Sequence, residues 1–495
     1  MPNSCNYGLM SERLSAMDVS FWFMESAATP MHMGTIGIFE RPADGFELPQ
    51  LERLINERIA FVPRYRQRIR EVPLQIGRPV WVDDDDFDLR YHVRGLALPK
   101  PGSRQQLDEL VGRLMSRPLD RTRPLWELSL ISGLAGGRFA IVSKTHQVMI
   151  DGLMGIDILQ VILDGEAQQS SPRSVGSWLP APEPSGLELV TSALSESLAH
   201  PGIALDVART AVKGVAAVVS DLGRKSLSAG ATALTFARVA TEPAMTVTAL
   251  NVPIGADRLL ATADFDLAAV KDVRRGLGGS INDIVLAVVA GALRTWLMGR
   301  GVPISARSQL RAVVPISTAN SGDSVDSIGP VSAFLVDLPL GEPDSIVRLR
   351  QISYQLAQYQ DVSHLLGAET MINMASYGPP TLHALGVRLA SNLSSRLYNV
   401  AVVNVPGPQH PMYVADARLV GSYPLMPLPQ NQALSISLMS YDGQLFFGVN
   451  ADRSTIVEVE SFIGCLRDSL EELTQAANMR GDRHQRVVDH GETAR

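Results

Sequence analysis

Proline punctuation constrains this chain more than any other feature. Residues 168–186 read QQSSPRSVGSWLPAPEPSG, in which Pro172, Pro180, Pro182 and Pro184 each lack a backbone N–H and hold φ at a turn-like value. Neither a helix nor a sheet strand runs through such a stretch, so the chain must fold as separate pieces on either side of it. A length of 495 residues allows this, since domains run to roughly 100–200 residues. Upstream, helical periodicity at 48–61 and 104–117 mixes with strand-like runs such as 138–145. Downstream, helical patterns at 267–277, 284–298 and 345–358 alternate with strand-like runs at 310–315, 399–405 and 434–441. Two α/β halves are therefore expected, at 1–167 and 257–477. Between them, 168–256 reads as a linker followed by two helices, 187–199 and 203–222, broken at Pro201; 478–495 reads as a polar, frayed tail. No unit repeats at a period of roughly 20–50 residues, which argues against a solenoid or propeller.

Charge and cysteine usage narrow the function classes. Lys+Arg 44 against Asp+Glu 51 gives a formal net charge of −7, so no basic footprint for nucleic acid is expected. Cys5 and Cys465 lie near opposite ends and form no CxxC or Cys/His cluster, which supports neither a disulfide framework nor a thiolate zinc site. The opening MPNSCNYGLMSERLSAMD has no basic start and no apolar run of the signal-peptide kind, so a cytoplasmic location is expected. The longest apolar stretch, IVLAVVAGAL at 284–293, is half of the roughly 20 residues a membrane span needs. Any membrane contact should then be peripheral.

The segment richest in chemistry is RFAIVSKTHQVMIDGLMGIDI, residues 138–158, where an apolar strand runs into His146, a short turn, Asp151-Gly152 and an apolar helix. On spacing alone, a core histidine satisfied by the backbone is the plainer reading. Period two along the strand puts Phe139, Ile141, Ser143, Thr145 and Gln147 on one face and Ala140, Val142, Lys144 and His146 on the other. His146 and Gln147 thus point apart unless a bulge re-aims one of them.

Around this segment, phrases along nearly the whole chain resemble the bacterial wax ester synthase/diacylglycerol acyltransferase family, in the family's order. They are LSAMDVSFWFMESAATPMHMG (14–34), VDDDDFDLRYHV (82–93), SRPLDRTRPLWEL (116–128), KTHQVMIDG (144–152), GGSINDIVLAVVAGALR (278–294), AVVPIS (312–317), NVPGP (404–408) and SYDGQLFFGVNADR (440–453). The resemblance implies an α/β fold of two chloramphenicol-acetyltransferase-like domains with a tunnel between them. It implies transfer of a fatty acyl group from acyl-CoA, a co-substrate, to the hydroxyl of a diacylglycerol or long-chain alcohol, with no separate cofactor. The family's hallmark is HHxxxDG, in which the second histidine is the general base. Here the seven residues run from His146 through Gln147 to Asp151 and Gly152, so Gln147 holds the base position. A neutral imidazole takes a hydroxyl proton at cellular pH and an amide does not; Gln147 can only accept a hydrogen bond and orient the hydroxyl. Loss of a positioned base typically costs about 10²- to 10⁴-fold. By the resemblance, Asp151 organises the turn, and Gly152 supplies a conformation or close approach that a side chain forbids. His146 keeps two readings, a structural residue or, through a bulge, a substitute base.

Other candidates carry plain structural readings beside functional ones. Ser280-Ile281-Asn282-Asp283 ahead of an apolar run is a helix start, with Ser280 as N-cap and Asp283 reaching back. In the family the Asn-Asp pair also lies near the tunnel, which keeps a supporting role open for Asn282 and Asp283. Pro124, Leu125 and Trp126 match the family's PLW motif, whose aromatic packs near the acceptor site; plain core is the other reading of Trp126. The acid run at 83–86 reads as a solvated loop, and with no histidines spaced for zinc and no metal required by thioester chemistry, none is assigned. No glycine-rich phosphate loop marks a CoA site. The apolar helices at 187–222 would pack on the two halves, cover a lipid entrance, or touch a membrane or lipid-droplet surface. Three functions stand: an O-acyltransferase slowed by Gln147, a non-catalytic lipid- or acyl-CoA-binding member, and a condensation-type enzyme acting on carrier-bound thioesters. The PLW, Asn-Asp and NVPGP phrases favour the first two.

Overall fold

In the computed structural model, residues 12–150, 157–166, 178–199, 249–317, 331–362 and 398–492 are described. The first half contains α1 (Ala16–Met24), β1 (His32–Glu40), α2 (Leu48–Arg58), β2 (Gln67–Arg70), β3 (Val80–Asp83), α3 (Leu89–His92), β4 (Val93–Ala97), α4 (Arg104–Met115), β5 (Trp126–Leu134), β6 (Arg138–His146) and α5 (Ile158–Ile162). Local chemistry sets the helix starts. Ser15 and Asp18 form a reciprocal capping box at α1, and Ser103 and Gln106 form another at α4. After α6 (Gly186–Ala199), the second half contains β7 (Arg258–Asp266), α7 (Leu267–Leu277), α8 (Ile281–Gly299), β8 (Leu310–Ser317), β9 (Val331–Leu338), α9 (Ser345–Val362), β10 (Val400–Pro406), β11 (Tyr413–Val414), β12 (Ala417–Leu425), β13 (Leu434–Tyr441), β14 (Gln444–Asp452) and α10 (Glu460–Glu492).

Among the described residues these strands form two six-stranded sheets, ordered β11-β12-β1-β6-β5-β4 and β7-β14-β13-β10-β8-β9, with β2 and β3 paired separately. Sheet membership departs from chain order at one place. β12 lies beyond β10 in sequence yet pairs antiparallel with β1, Gly34 opposite Leu425 and Ile38 opposite Gly421. It covers the edge that β1 would otherwise expose. On its other side β1 pairs with β6 in an unbroken register from Glu40 opposite Arg138 to His32 opposite His146. No bulge interrupts it, so β6 keeps strict alternation to its last residue.

Each sheet has its own apolar core, one built around Phe39, Trp126 and Ile141, the other around α8 and β13. By length and composition α8 is apolar enough to cross a membrane, but 72% of its apolar window is buried inside the protein, where it serves as the central core helix of the second half.

Three sequence expectations change. The Pro-rich stretch has no helix or strand over 178–185, as expected, but it is strapped to the first half: Glu183 accepts from Arg68 at 2.8 Å and from Arg70, and the Ala181 N–H donates to Asp83 at 2.9 Å. The acid run is not simply solvated, because Asp84 is buried beside Arg68 at 3.8 Å and burial pushes its carboxyl up, leaving Asp85 and Asp86 exposed. The tail is helical to Glu492, since helix elongation from a packed start needs far less than nucleation does. The expected helix at 203–222 lies outside the described residues.

Candidate functional site

The alternation along β6 divides its polar side chains between two surroundings. Ser143 and Thr145 donate to the buried carboxylate of Asp157, Thr145 at 3.1 Å. Lys144, on the opposite face, donates to the carbonyls of Leu114 at 3.1 Å and Arg117. Burial pushes the Asp157 carboxyl above its ordinary range and the Lys144 ammonium below its own, with the hydroxyls and Glu127 respectively working against those shifts. His146 ends the strand on the Lys144 face, and a single 3-10 turn, Gln147–Met149, follows.

Both residues of the His-Gln pair are fixed through the backbone. The His146 N–H donates to Leu125 O at 2.9 Å, and the Gln147 N–H donates to Met31 O at 2.9 Å. The turn closes with the Ile150 N–H on Gln147 O at 3.2 Å. His146 has no exposed surface, and its Nδ1 accepts the Val148 N–H at 3.1 Å. A ring nitrogen that accepts carries no proton, so the hydrogen-bond geometry fits the tautomer with its hydrogen on Nε2. Among the described residues, that Nε2 has no partner within hydrogen-bond distance; Glu25 Oε1 lies 3.6 Å away. In that tautomer neither nitrogen offers a lone pair to a substrate, which favours the structural reading of His146 over that of a substitute base. Gln147 is buried in the turn. Asp151 and Gly152 lie outside the described residues.

Glu25, which the motif reading missed, sits at the centre of this region. Its Oε2 faces Arg121 Nε at 2.9 Å, and its Oε1 accepts the Met31 N–H at 3.4 Å as well as facing His146. Burial works to raise its pKa, but the His146 contact and the Arg121 charge outweigh it and hold the carboxyl below its ordinary value. The Arg121 guanidinium lies 3.7 Å over the Trp22 ring, which meets the His146 ring edge-on. The signal was present, because Glu25 lies in the family-like phrase at 14–34 and Arg121 in that at 116–128; a lone Glu simply has no spacing rule that singles it out.

The remaining candidates divide. Pro124, Leu125 and Trp126 are buried. Trp126 donates from Nε1 to Tyr65 O at 2.8 Å and stacks on His92 at 4.6 Å, which is a core role, whereas the Leu125 carbonyl reaches the motif by accepting from His146. Asp283 caps α8 in a box with Ser280 and accepts from Ser353 at 2.6 Å. Asn282 bonds to Asn404 of the NVPGP phrase. Among the described residues, the hydrogen-bond partners of Asn282 and Asp283 all lie in the second half, away from the His146 turn. Among the described residues no cluster of three His, Cys, Asp or Glu side chains is placed to hold a metal ion.

A cleft of about 590 Å³ opens between the halves, lined by Arg104, Leu107, Arg138, Asp264, Tyr423 and Phe446 among others. It lies at the Arg138 end of β6, and at ~3.3 Å per residue it is on the order of 25 Å from the His146 turn. Its mixed polar lining does not match the apolar tunnel expected at Gln147, and no residue of the turn lines it.

Comparison with known proteins fits this architecture. The wax ester synthase/diacylglycerol acyltransferase catalytic domain profile matches residues 14–285, and the family's C-terminal domain profile matches 330–474. A probable diacylglycerol O-acyltransferase of Mycobacterium tuberculosis is 32% identical over 466 residues, 93% of this chain and 98% of the relative. A second from the same organism is 29% identical over 472 residues, 94% of this chain and 96% of the relative. The solved wax ester synthase/diacylglycerol acyltransferase from Marinobacter aquaeolei VT8 superposes with a TM-score of 0.65 at 26% identity, covering 94% of this chain and all of that one. The starter condensation domain of rhizomide synthetase, solved with C8-CoA, shares the chloramphenicol-acetyltransferase-like fold at 13% identity and a TM-score of 0.52. With both halves matched in order and the motif turn held at the end of β6, the chain belongs to the wax ester synthase/diacylglycerol acyltransferase family.

Proposed function

We propose that this protein transfers a fatty acyl group from acyl-CoA to the hydroxyl of a diacylglycerol or long-chain alcohol, slowly, with Gln147 orienting the hydroxyl in place of a general base. The observation that carries the reading is membership of the family together with a 146–150 turn fixed at the end of β6 by backbone bonds and by His146, while its base position is an amide. In the reaction the hydroxyl oxygen attacks the thioester carbonyl, the C–O bond forms, the C–S bond breaks, and the hydroxyl proton must leave. Gln147 can accept a hydrogen bond from that hydroxyl through its Oε1, which aligns the oxygen but does not remove the proton. The proton then passes to water or to the departing thiolate. Substrates this apolar favour action at a lipid–water interface in the cytoplasm. No cofactor is required by this chemistry.

A second reading, a binding protein that has lost turnover, is favoured by the amide at the base position, which cannot take up the hydroxyl proton. One assay separates the two. Purified protein given palmitoyl-CoA and a diacylglycerol should form triacylglycerol slowly, and Gln147→His should raise kcat by about 10²-fold or more. Absence of turnover in both proteins would leave the binding reading.

A further inference from the structure

The half-buried carboxylate of Glu25 has no part in the acyl-transfer chemistry above, yet it touches the segments that hold the motif turn. It faces the His146 ring, the Met31 N–H whose own carbonyl holds the Gln147 N–H, and Arg121 from the loop leading to Leu125, whose carbonyl holds the His146 N–H. We propose that Glu25 is a positioning residue: its carboxylate keeps the proton of His146 on Nε2, so that Nδ1 stays free to accept from Val148 and the 147–149 turn presents Gln147 in one orientation.

The argument is one of tautomers. In water a neutral imidazole carries its proton on either nitrogen. Here the two choices differ sharply. With the proton on Nε2, it points toward a carboxylate oxygen 3.6 Å away and Nδ1 takes the Val148 N–H. With the proton on Nδ1, that hydrogen collides with the Val148 N–H, and the bare Nε2 lone pair faces the negative Glu25. Loss of a hydrogen bond in a site this buried leaves an unmet backbone donor, which is costly. Arg121 supports the arrangement from the other side, because its guanidinium at 2.9 Å from Oε2 keeps Glu25 ionised at cellular pH. The Trp22 ring packs against both Arg121 and His146. The same logic orients a metal-bound or catalytic histidine through the hydrogen bond at its other nitrogen; here the imidazole transmits the constraint to a turn.

This inference rests on the proposed function only for its kinetic part, and its test has two separate arms. The first reads the tautomer in the full-length protein by two-bond nitrogen–proton correlation of ¹⁵N-histidine, with the His146 signal identified by its loss in His146→Asn. The wild type should show a single Nε2–H tautomer. Glu25→Gln, which keeps an acceptor, should retain it, and Glu25→Leu should lose it to a mixture. A wild-type ring protonated on Nδ1 overturns the proposal even if no variant folds. The second arm measures acyl transfer in the Gln147→His background, where turnover is expected to be measurable. Glu25→Leu should lower kcat about tenfold with the KM for palmitoyl-CoA unchanged, and Glu25→Gln should restore most of it. A Glu25→Leu protein that keeps a single Nε2–H tautomer, or whose lost activity is matched by its loss of folded protein, overturns it. If Gln147→His shows no turnover at all, the proposed function fails and the tautomer arm still decides this one.

Discussion

His146 and Gln147 show how one residue type decides whether a shared fold has a shared chemistry. An amide at 147 fits the buried turn sterically, and the turn is held by backbone bonds that do not depend on the side chain there. On the proposed function the amide takes the place of a base without removing its scaffold, which is why a single substitution is expected to restore rate. His146 makes the opposite prediction. Because its Nδ1 serves as an acceptor for Val148, His146→Asn, which places an amide oxygen near the same point, should keep acyl transfer within about threefold of the parent. His146→Ala leaves the Val148 N–H unmet and should cost about 1–3 kcal/mol in stability. Denaturant unfolding alongside the triacylglycerol assay would check both. An Asn variant with no turnover and full stability would return His146 to the list of bases.

At the scale of elements, α4 is the joint between the halves, and its Asp108 is the feature to test. This carboxylate accepts from the Thr262 N–H at 3.2 Å and hydroxyl at 2.8 Å, tying α4 to β7, and burial pushes its pKa up to about 6 although Arg104 and Thr262 pull against it. A carboxyl raised above its ordinary 3.8 holds its proton longer in the folded state. Its contribution to stability is complete below about pH 4 and lost as pH rises through about 6, up to about 3 kcal/mol. His92, pulled down to about 4 by burial, works in the opposite direction, its contribution being lost as pH falls from about 6.5 toward 4. The two slopes mask each other in the wild type, so the difference between proteins is what reads Asp108. Asp108→Asn should gain about 2 kcal/mol relative to wild type on going from pH 4.5 to pH 7; equal differences at both values would reject the buried-acid assignment. The limits of sequence reading appear at this scale too. The patterns at 267–277 and 434–441 match α7 and β13 to the residue, because amphipathic period and flanking turn chemistry agree there. The Asp108–Thr262 tie and the Glu25–His146 contact were not legible, since each joins residues more than a hundred positions apart and neither leaves a periodic trace. The tail failed for a different reason: a helix that is already nucleated continues without apolar periodicity.

For the whole molecule, the crossing of β12 into the first sheet is expected to make the two halves one cooperative unit, although the chain reads as two pieces around a proline strap. β12 pairs with β1 along one edge and lies against β14 of the other sheet, where Gly448 meets it. A Cβ at Gly448 would stand 1.9 Å from Pro424 O and 3.0 Å from a Leu425 methyl. Pro424 O is also the acceptor for the Ser437 hydroxyl of β13, so it has no free direction in which to retreat. Gly448→Ala must therefore lift β12 away from β14. The shift passes directly toward the site, because Leu425 sits opposite Gly34 on β1 and His32, two residues back, sits opposite His146. Overpacking of this kind typically costs about 1–3 kcal/mol. The expected result is a lower denaturation midpoint and reduced acyl transfer together, with unfolding still a single transition in which both sheets melt at once. Gly464→Ala provides the control. That glycine lies in α10 with nothing within 4 Å of an added Cβ, and alanine there should stabilise the helix by about 0.5–1 kcal/mol without changing activity. Two resolved unfolding transitions in the wild type, or a Gly448→Ala protein that loses stability in one sheet while acyl transfer persists, would show that β12 is a peripheral strand and that the halves fold independently.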